Sequence, residues 1–161
     1  MKMIKTISLV LVFLLVVIIL YRINLIKVRA IGGIIYKTYD DGSIRYLLVT
    51  TKNGRKWIFP KGRAEIYESQ VRTLEREIHE EAGVSAKMVF ELEGNPYPHK
   101  KSSGRRERVY FYAMQYLHDD LEWRERDKRD RRWMTFDEAH AEIIPEFRQA
   151  LEEAHNRLFK R

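Results

Sequence analysis

The sequence predicts a layered domain in which strands alternate with two or three helices, α/β or α+β, behind one N-terminal membrane-spanning helix. Three observations point there. Apolar runs of strand length, separated by turn signals, alternate with segments whose apolar residues follow helical spacing. Thr6 to Tyr21 carries no charge. One helical segment sets Glu77, Glu80 and Glu81 on a single face, at positions i, i+3 and i+4.

The 161 residues allow one ordinary domain plus an appendage, and 45% hydrophobic content is enough for a core. No cysteine is present, which excludes disulfides and thiolate metal sites. The net charge of +7 is unevenly spread: five of the 30 Lys and Arg lie in residues 1–29, where there is no acid. The rest of the chain therefore carries 25 basic against 23 acidic residues, and no nucleic-acid partner is expected from charge.

The uncharged run TISLVLVFLLVVIILY is bracketed by Lys5 and Arg22, and neighbouring apolar residues extend it. A bilayer core asks for about 20 apolar residues, so residues 1–27 are read as a membrane anchor and connector, with an apolar span of about 3–21. A cleaved signal peptide is the alternative, but Ile-Leu-Tyr-Arg-Ile-Asn offers no small-residue cleavage site. Positive charge is nearly balanced across the run, so topology is open. A single-pass protein is expected, with its domain, residues 28–161, in the cytoplasm.

Val28 to Tyr36 reads as the first strand, with Gly32-Gly33 permitting close backbone approach. Asp40-Asp41-Gly42 turns the chain into a partner strand at Arg45 to Thr51, and Lys52 to Arg55 is a second turn. Trp57-Ile58-Phe59 is a short strand, stopped by Pro60-Lys61-Gly62. Ser69 is placed to N-cap a helix whose Val71, Leu74, Ile78 and Ala82 face a sheet, and Gly83 to end it. Strands follow at Lys87 to Leu92, Arg108 to Tyr116 and Arg131 to Met134. Thr135 to Glu138 has the pattern of a capping box. Pro145 opens a last helix with a Phe147, Ala150, Leu151, Ala154 and Leu158 stripe.

Gly62, Glu68, Arg76, Glu77, Ile78, Glu80, Glu81, Gly83 and Val84 fill every specified position of G-x5-E-x7-R-E-U-x-E-E-x-G-U, where U is aliphatic. The chain thus resembles the Nudix hydrolases from about Ala30 onward. The resemblance implies an α/β/α sandwich with a mixed sheet. It implies hydrolysis of a phosphoanhydride bond, dependent on Mg²⁺ or Mn²⁺ held by Glu77, Glu80, Glu81 and the Gly62 carbonyl. Arg76 would orient the glutamates and Glu68 would support them from behind. Glu77 is the first candidate for general base, with a glutamate outside the motif as the alternative. Hard carboxylate oxygens suit such ions.

Trp57-Ile58-Phe59-Pro60-Lys61-Gly62 is similar to the lead-in of the diphosphoinositol polyphosphate and diadenosine polyphosphate hydrolases. Arg108 to Tyr116, Leu121-Glu122-Trp123 and Arg131 to Ala139 resemble the former more weakly. Either class of phosphorylated small molecule is the expected substrate. Lys61, Arg63, Lys100, Lys101, Arg105 and Arg106 are candidate phosphate contacts, the last four around a Ser102-Ser103-Gly104 loop. An exposed hairpin loop is the alternative for that basic run, and a solvated loop is expected at Arg124 to Arg132. A nucleotide-binding or sensor module at the membrane, without strong catalysis, is the alternative function. Oligomeric state is not legible.

Overall fold

A computed structural model describes residues 11–19, 29–65, 67–101 and 103–160. Eight strands form one sheet: β1 (Arg29–Thr38), β2 (Ile44–Thr50), β3 (Trp57–Ile58), β4 (Lys61–Arg63), β5 (Val84–Glu91), β6 (Tyr97–Lys100), β7 (Arg106–Asp119) and β8 (Arg131–Met134). The main path runs β3-β2-β1-β7-β5, while β4, β6 and β8 pair with β1, β7 and β2. The β1–β7 pair is parallel and the other named pairs are antiparallel, so the sheet is mixed.

Residues 11–19 are helical (α1), α2 spans Gln70–Ala82, α3 Phe136–Glu142 and α4 Arg148–Phe159, the last entered through a 3-10 turn at Pro145–Phe147. Gly32 and Gly33 show how the layers form. A Cβ on Gly33 would meet Ile78 of α2 at 2.6 Å, and one on Gly32 would meet Phe111 at 2.5 Å. Successive strand positions face opposite ways, so α2 covers one face of the sheet and the Phe59–Phe111–Phe147 cluster fills the other. The missing side chains let both layers approach. This is the expected α/β/α arrangement.

The membrane expectation is overturned. Among the described residues no helix is long and apolar enough to cross a membrane. Thr6 to Val10, Leu20, Tyr21 and the bracketing Lys5 and Arg22 lie outside the described residues. The transmembrane helix, the single-pass placement and the cytoplasmic orientation built on it are therefore withdrawn, as is the membrane as a partner.

Three local differences bear on the site. Pro60-Lys61-Gly62 does not simply stop a strand: Lys61–Arg63 pairs with Ala30–Gly32 and is itself a strand. Val71, expected on the apolar face of α2, is 44% exposed, while Thr73 and Glu81 are buried with Leu74, Ile78 and Ala82. The buried face is thus turned toward Glu81. Strand β6 was not foreseen, because Pro96 and Pro98 mask it. It begins where the Asn95 side chain mimics a strand partner, with Nδ2 donating to the Phe111 carbonyl at 2.9 Å and Oδ1 accepting the Phe111 N–H at 2.8 Å.

Candidate active site

Helix α2 carries the predicted metal ligands, and its ends are fixed locally. The Ser69 Oγ accepts the Arg72 N–H at 3.3 Å. Gly83 adopts the left-handed conformation at φ 61° and donates to the His79 carbonyl at 3.0 Å. Glu77 and Glu80 are half-buried and Glu81 is buried. Gly62 lies under Glu77: a Cβ there would come within 1.8 Å of the Glu77 carboxylate, so only glycine lets that carboxylate settle over β4.

Arg76 joins the loop after β4 to α2. Its Nε and Nη2 donate to Glu68 Oε1 and Oε2, each at 2.9 Å, and Nη2 also donates to the Arg63 carbonyl at 3.0 Å. Its Nη1 donates to Glu77 Oε1 at 2.7 Å. A bidentate guanidinium–carboxylate pair fixes orientation as well as distance. The Arg76 hydrogen bonds, helped by Glu65 N–H and Thr73 Oγ1, hold the Glu68 carboxyl down at about 2.

The loop between β7 and β8 closes on the same helix. Trp123 packs where a Gly83 Cβ would be, 2.2 Å from it. The Glu125 N–H donates to the Glu80 carbonyl at 3.1 Å, and Arg131 Nη1 donates to the Ala82 and Gly83 carbonyls at 2.7 and 2.8 Å. Arg124 Nη1 donates to Glu80 Oε2 at 3.1 Å. Arg129 is more deeply placed: its Nη2 donates to Glu81 Oε1, its Nε to Glu125 Oε2 at 2.5 Å and its Nη1 to the Thr50 carbonyl at 2.6 Å. Lys52 Nζ reaches the other Glu125 oxygen at 2.6 Å.

Burial dominates the acidity of this cluster. It pushes Glu81 up to about 7, against the pull of Arg129 and the Lys61 N–H and with Glu77 and Glu125 adding repulsion. It also raises Glu77, despite Arg76. For Glu125 the burial penalty is outweighed by Lys52 and Arg129, which leave it below its ordinary value.

A second cluster lies across β4. Side chains alternate along that strand, so Gly62 faces α2 while Lys61 and Arg63 face the opposite layer. Lys61 Nζ donates to Glu107 Oε1 at 2.6 Å, and Arg63 Nη2 and Lys101 Nζ both reach Glu107 Oε2 at 3.2 Å. Glu107 has a side chain only 1% exposed, and its burial penalty is overcome by Lys61 and Lys101, which hold the carboxyl at about 2. Three cations thus meet one carboxylate. His99 stands opposite Glu107 in the β6–β7 register and packs on Phe147 at 5.0 Å. Burial, with Lys61 second, depresses its pKa to about 4. The buried His99 Nδ1 and Arg63 Nε have no hydrogen-bond partner among the described residues. The backbone N–H of Lys61 donates to Glu81 Oε2 at 2.9 Å, so this one residue touches both clusters.

Of the candidate phosphate contacts, Lys61, Arg63 and Lys101 converge. Lys100, Arg105 and Arg106 do not join them and are exposed, with Lys100 opposite Arg106 in register. Ser102 lies outside the described residues. His79 is bound to Asp120 at 2.9 Å, outside the carboxylate cluster. Sequence reasoning did not single out Glu107, Glu125 or Arg129. The alternation Glu107, Val109, Phe111 along β7 could have placed Glu107 inside. Glu125 and Arg129 stand at i, i+4 within a stretch that reads as a solvated loop.

As they stand, the described acidic residues form no group of three or more placed to hold a metal ion. The reason is visible: Arg76, Arg124 and Arg129 draw Glu77, Glu80 and Glu81 to themselves. The donor chemistry nevertheless fits a hard divalent cation. Four carboxylates share one partly desolvated region, and the burial that raises Glu77 and Glu81 is what added positive charge would relieve.

A mixed sheet between helices, with a glutamate-bearing helix set against a glycine strand, defines a Nudix-type α/β/α fold. The family model for the NUDIX domain matches residues 27–155, and the chain belongs to the Nudix hydrolase family. It is 31% identical over 136 residues to the pig (Sus scrofa) asymmetrical bis(5'-nucleosyl)-tetraphosphatase, covering 79% of this chain and 92% of that one. It is 35% identical over 96 residues to Nudix hydrolase 4 of Arabidopsis thaliana, covering 60% of this chain but only 46% of that relative. Among solved structures, the C. elegans Ap4A hydrolase binary complex superposes with a TM-score of 0.64 at 20% identity, covering 83% of this chain and 99% of that one. The ADP-ribose complex of the Shewanella oneidensis NrtR NUDIX domain gives 0.65 at 17% identity, covering 82% and 88%.

Proposed function

We propose that this chain hydrolyses a phosphoanhydride bond in an organic di- or polyphosphate, with divalent metal, and that a dinucleoside polyphosphate is its first candidate substrate. The observation that carries the reading is the pair of clusters joined at Lys61. One gathers Glu77, Glu80, Glu81 and Glu125, with burial raising Glu77 and Glu81; the other sets Lys61, Arg63 and Lys101 on the single carboxylate of Glu107. Together they suit the two halves of a metal–polyphosphate complex. The pig tetraphosphatase, matched over 92% of its length, favours a dinucleoside polyphosphate over the diphosphoinositol polyphosphates.

Glu77, Glu80 and Glu81, with the Gly62 carbonyl, are the groups available to hold Mg²⁺ or Mn²⁺. When bound, such an ion neutralises the diphosphate and lowers the pKa of an attacking water. Glu77 is a better base than Glu125, since burial raises the first while Lys52 and Arg129 hold the second down. The water's proton passes to Glu77 as its oxygen bonds to phosphorus. The bond from phosphorus to the bridging oxygen then breaks, and Lys61, Arg63 and Lys101 meet the charge of the phosphate chain. Arg76 keeps Glu77 and Glu68 in register across the loop.

One observation favours a second reading. An arginine on every glutamate of the motif is also what a Nudix module that binds a nucleotide without hydrolysing it would show. A substrate panel on the full chain separates the two. A dinucleoside tetraphosphate, ADP-ribose and a diphosphoinositol polyphosphate are each incubated with Mg²⁺ or Mn²⁺, and products are identified. The hydrolase reading expects nucleotide products from the first. It also expects Glu80→Gln to lower kcat/KM by at least about 100-fold, since even residues behind the metal ligands cost 10–100-fold. Tight nucleotide binding with no product supports the second reading.

A further inference from the structure

Among the described residues, three buried side-chain nitrogens have no hydrogen-bond partner: Arg63 Nε, His99 Nδ1 and Arg148 Nε. The first two flank Glu107. Arg63 reaches the Glu107 carboxylate through Nη2 at 3.2 Å, which leaves its Nε unused. His99 stands directly across the β6–β7 ladder from Glu107, and side chains so placed share a face of the sheet. Its ring is seated on Phe147 at 5.0 Å. Burial, with Lys61 second, holds its pKa at about 4, so near pH 7 the ring is neutral, with one N–H donor and one acceptor. Tyr97, two residues earlier on the same face of β6, is the contrast: its hydroxyl donates to Glu153. A phenylalanine at position 99 would pack on Phe147 with no nitrogen to satisfy, and an unpaired buried polar group costs stability. The histidine is thus kept at a cost.

Resting on the reading of Lys61, Arg63 and Lys101 as contacts of the phosphate chain, we propose that His99 is a further substrate-binding residue, its Nδ1–H donating to a phosphate oxygen of the bound polyphosphate beside Arg63 Nε. The neighbouring cations select an anion as the occupant, and a phosphate oxygen can accept from both unused nitrogens. Exposure sets the order of exchange. The Lys101 and Arg63 side chains are 38% and 27% exposed, and that of Lys61 only 8%. Lys101 and Arg63 share one Glu107 oxygen, Oε2, and turn from it to the ligand, while Lys61 keeps Oε1. The neutral imidazole adds a donor without adding a fourth positive charge.

The test is made on the full chain with two probes, a dinucleoside tetraphosphate and inorganic tripolyphosphate. Their Kd is read by calorimetry in chelator, KM and kcat for the tetraphosphate with Mg²⁺, and Tm without ligand. His99→Phe keeps the packing on Phe147, so Tm rises while Kd for both probes and KM increase about three- to tenfold, with kcat within about twofold. His99→Asn, whose amide nitrogen stands near the Nδ1 position, returns Kd and KM to within about twofold of the wild type. Where affinity in chelator is too weak to read, KM decides. Unchanged Kd and KM in His99→Phe overturn the proposal and leave the hydrolase reading intact. So does a loss confined to the dinucleotide, which puts the contact on the nucleoside, or a fall in Tm and affinity that His99→Asn does not rescue, which marks a structural role. A wild type that neither binds nor cleaves either probe sinks both readings.

Discussion

Glu81 and Glu107 are both buried carboxylates reached by Lys61, one through its backbone and one through its ammonium, and their surroundings are opposite. Glu81 has Glu77 and Glu125 as repelling neighbours and one guanidinium, and burial carries it up to about 7. Glu107 has three cations and is held at about 2. Burial raises both: at Glu81 it prevails over a single guanidinium, whereas at Glu107 the lysines overcome it. One short strand thus separates a group of carboxylates, two of them raised by burial, from a carboxylate held by three cations.

The contrast can be broken most severely at Glu107. Replacing it by Gln leaves Lys61, Arg63 and Lys101 facing one another, and Lys61 is itself buried. The expected loss is about 3–5 kcal/mol, measured by urea unfolding. The pH dependence sharpens the comparison, because the two groups act with opposite sign. The folded pKa of Glu107 is below its ordinary 4.5, so its contribution is complete above pH 4.5 and is lost as pH falls toward 2. Glu68, also held at about 2, adds to that limb. Glu81 lies above 4.5 in the folded protein, so its contribution is greatest below pH 4.5 and declines as pH rises toward 7. In chelator, Glu81→Gln should flatten the limb between pH 4.5 and 7 and leave the acid limb intact. A smaller effect is expected at Tyr67, which is fully exposed and sits at φ 69° beside Glu68. Left-handed geometry is costly for such a side chain, so Tyr67→Gly should stabilise the chain by about 0.5–1 kcal/mol after the added chain entropy of glycine. Thermal unfolding would read it.

The glutamate helix was legible because its information is one-dimensional. The spacing of Glu77, Glu80 and Glu81, the Ser69 cap and the left-handed Gly83 all follow from local geometry, and each stands as expected. Partnership was not legible. Arg129 reaches Glu81 across 48 residues and Lys61 reaches Glu107 across 46, distances that no local pattern spans. Val71 and Glu81 exchanged places on α2 because packing on the sheet, not hydrophobicity alone, set the rotation of the helix. The apolar letters of residues 6–21 suggested a membrane span, yet among the described residues no helix is long and apolar enough to cross a membrane.

On the proposed function, the carboxylate face of α2 works by taking up a divalent cation. Turnover of a dinucleoside tetraphosphate by the full chain, titrated with Mg²⁺ from excess chelator upward, tests it most directly. Background rates are expected in chelator, with a saturable rise with Mg²⁺ and no such rise for Glu80→Gln. Equal turnover with and without chelator would contradict it.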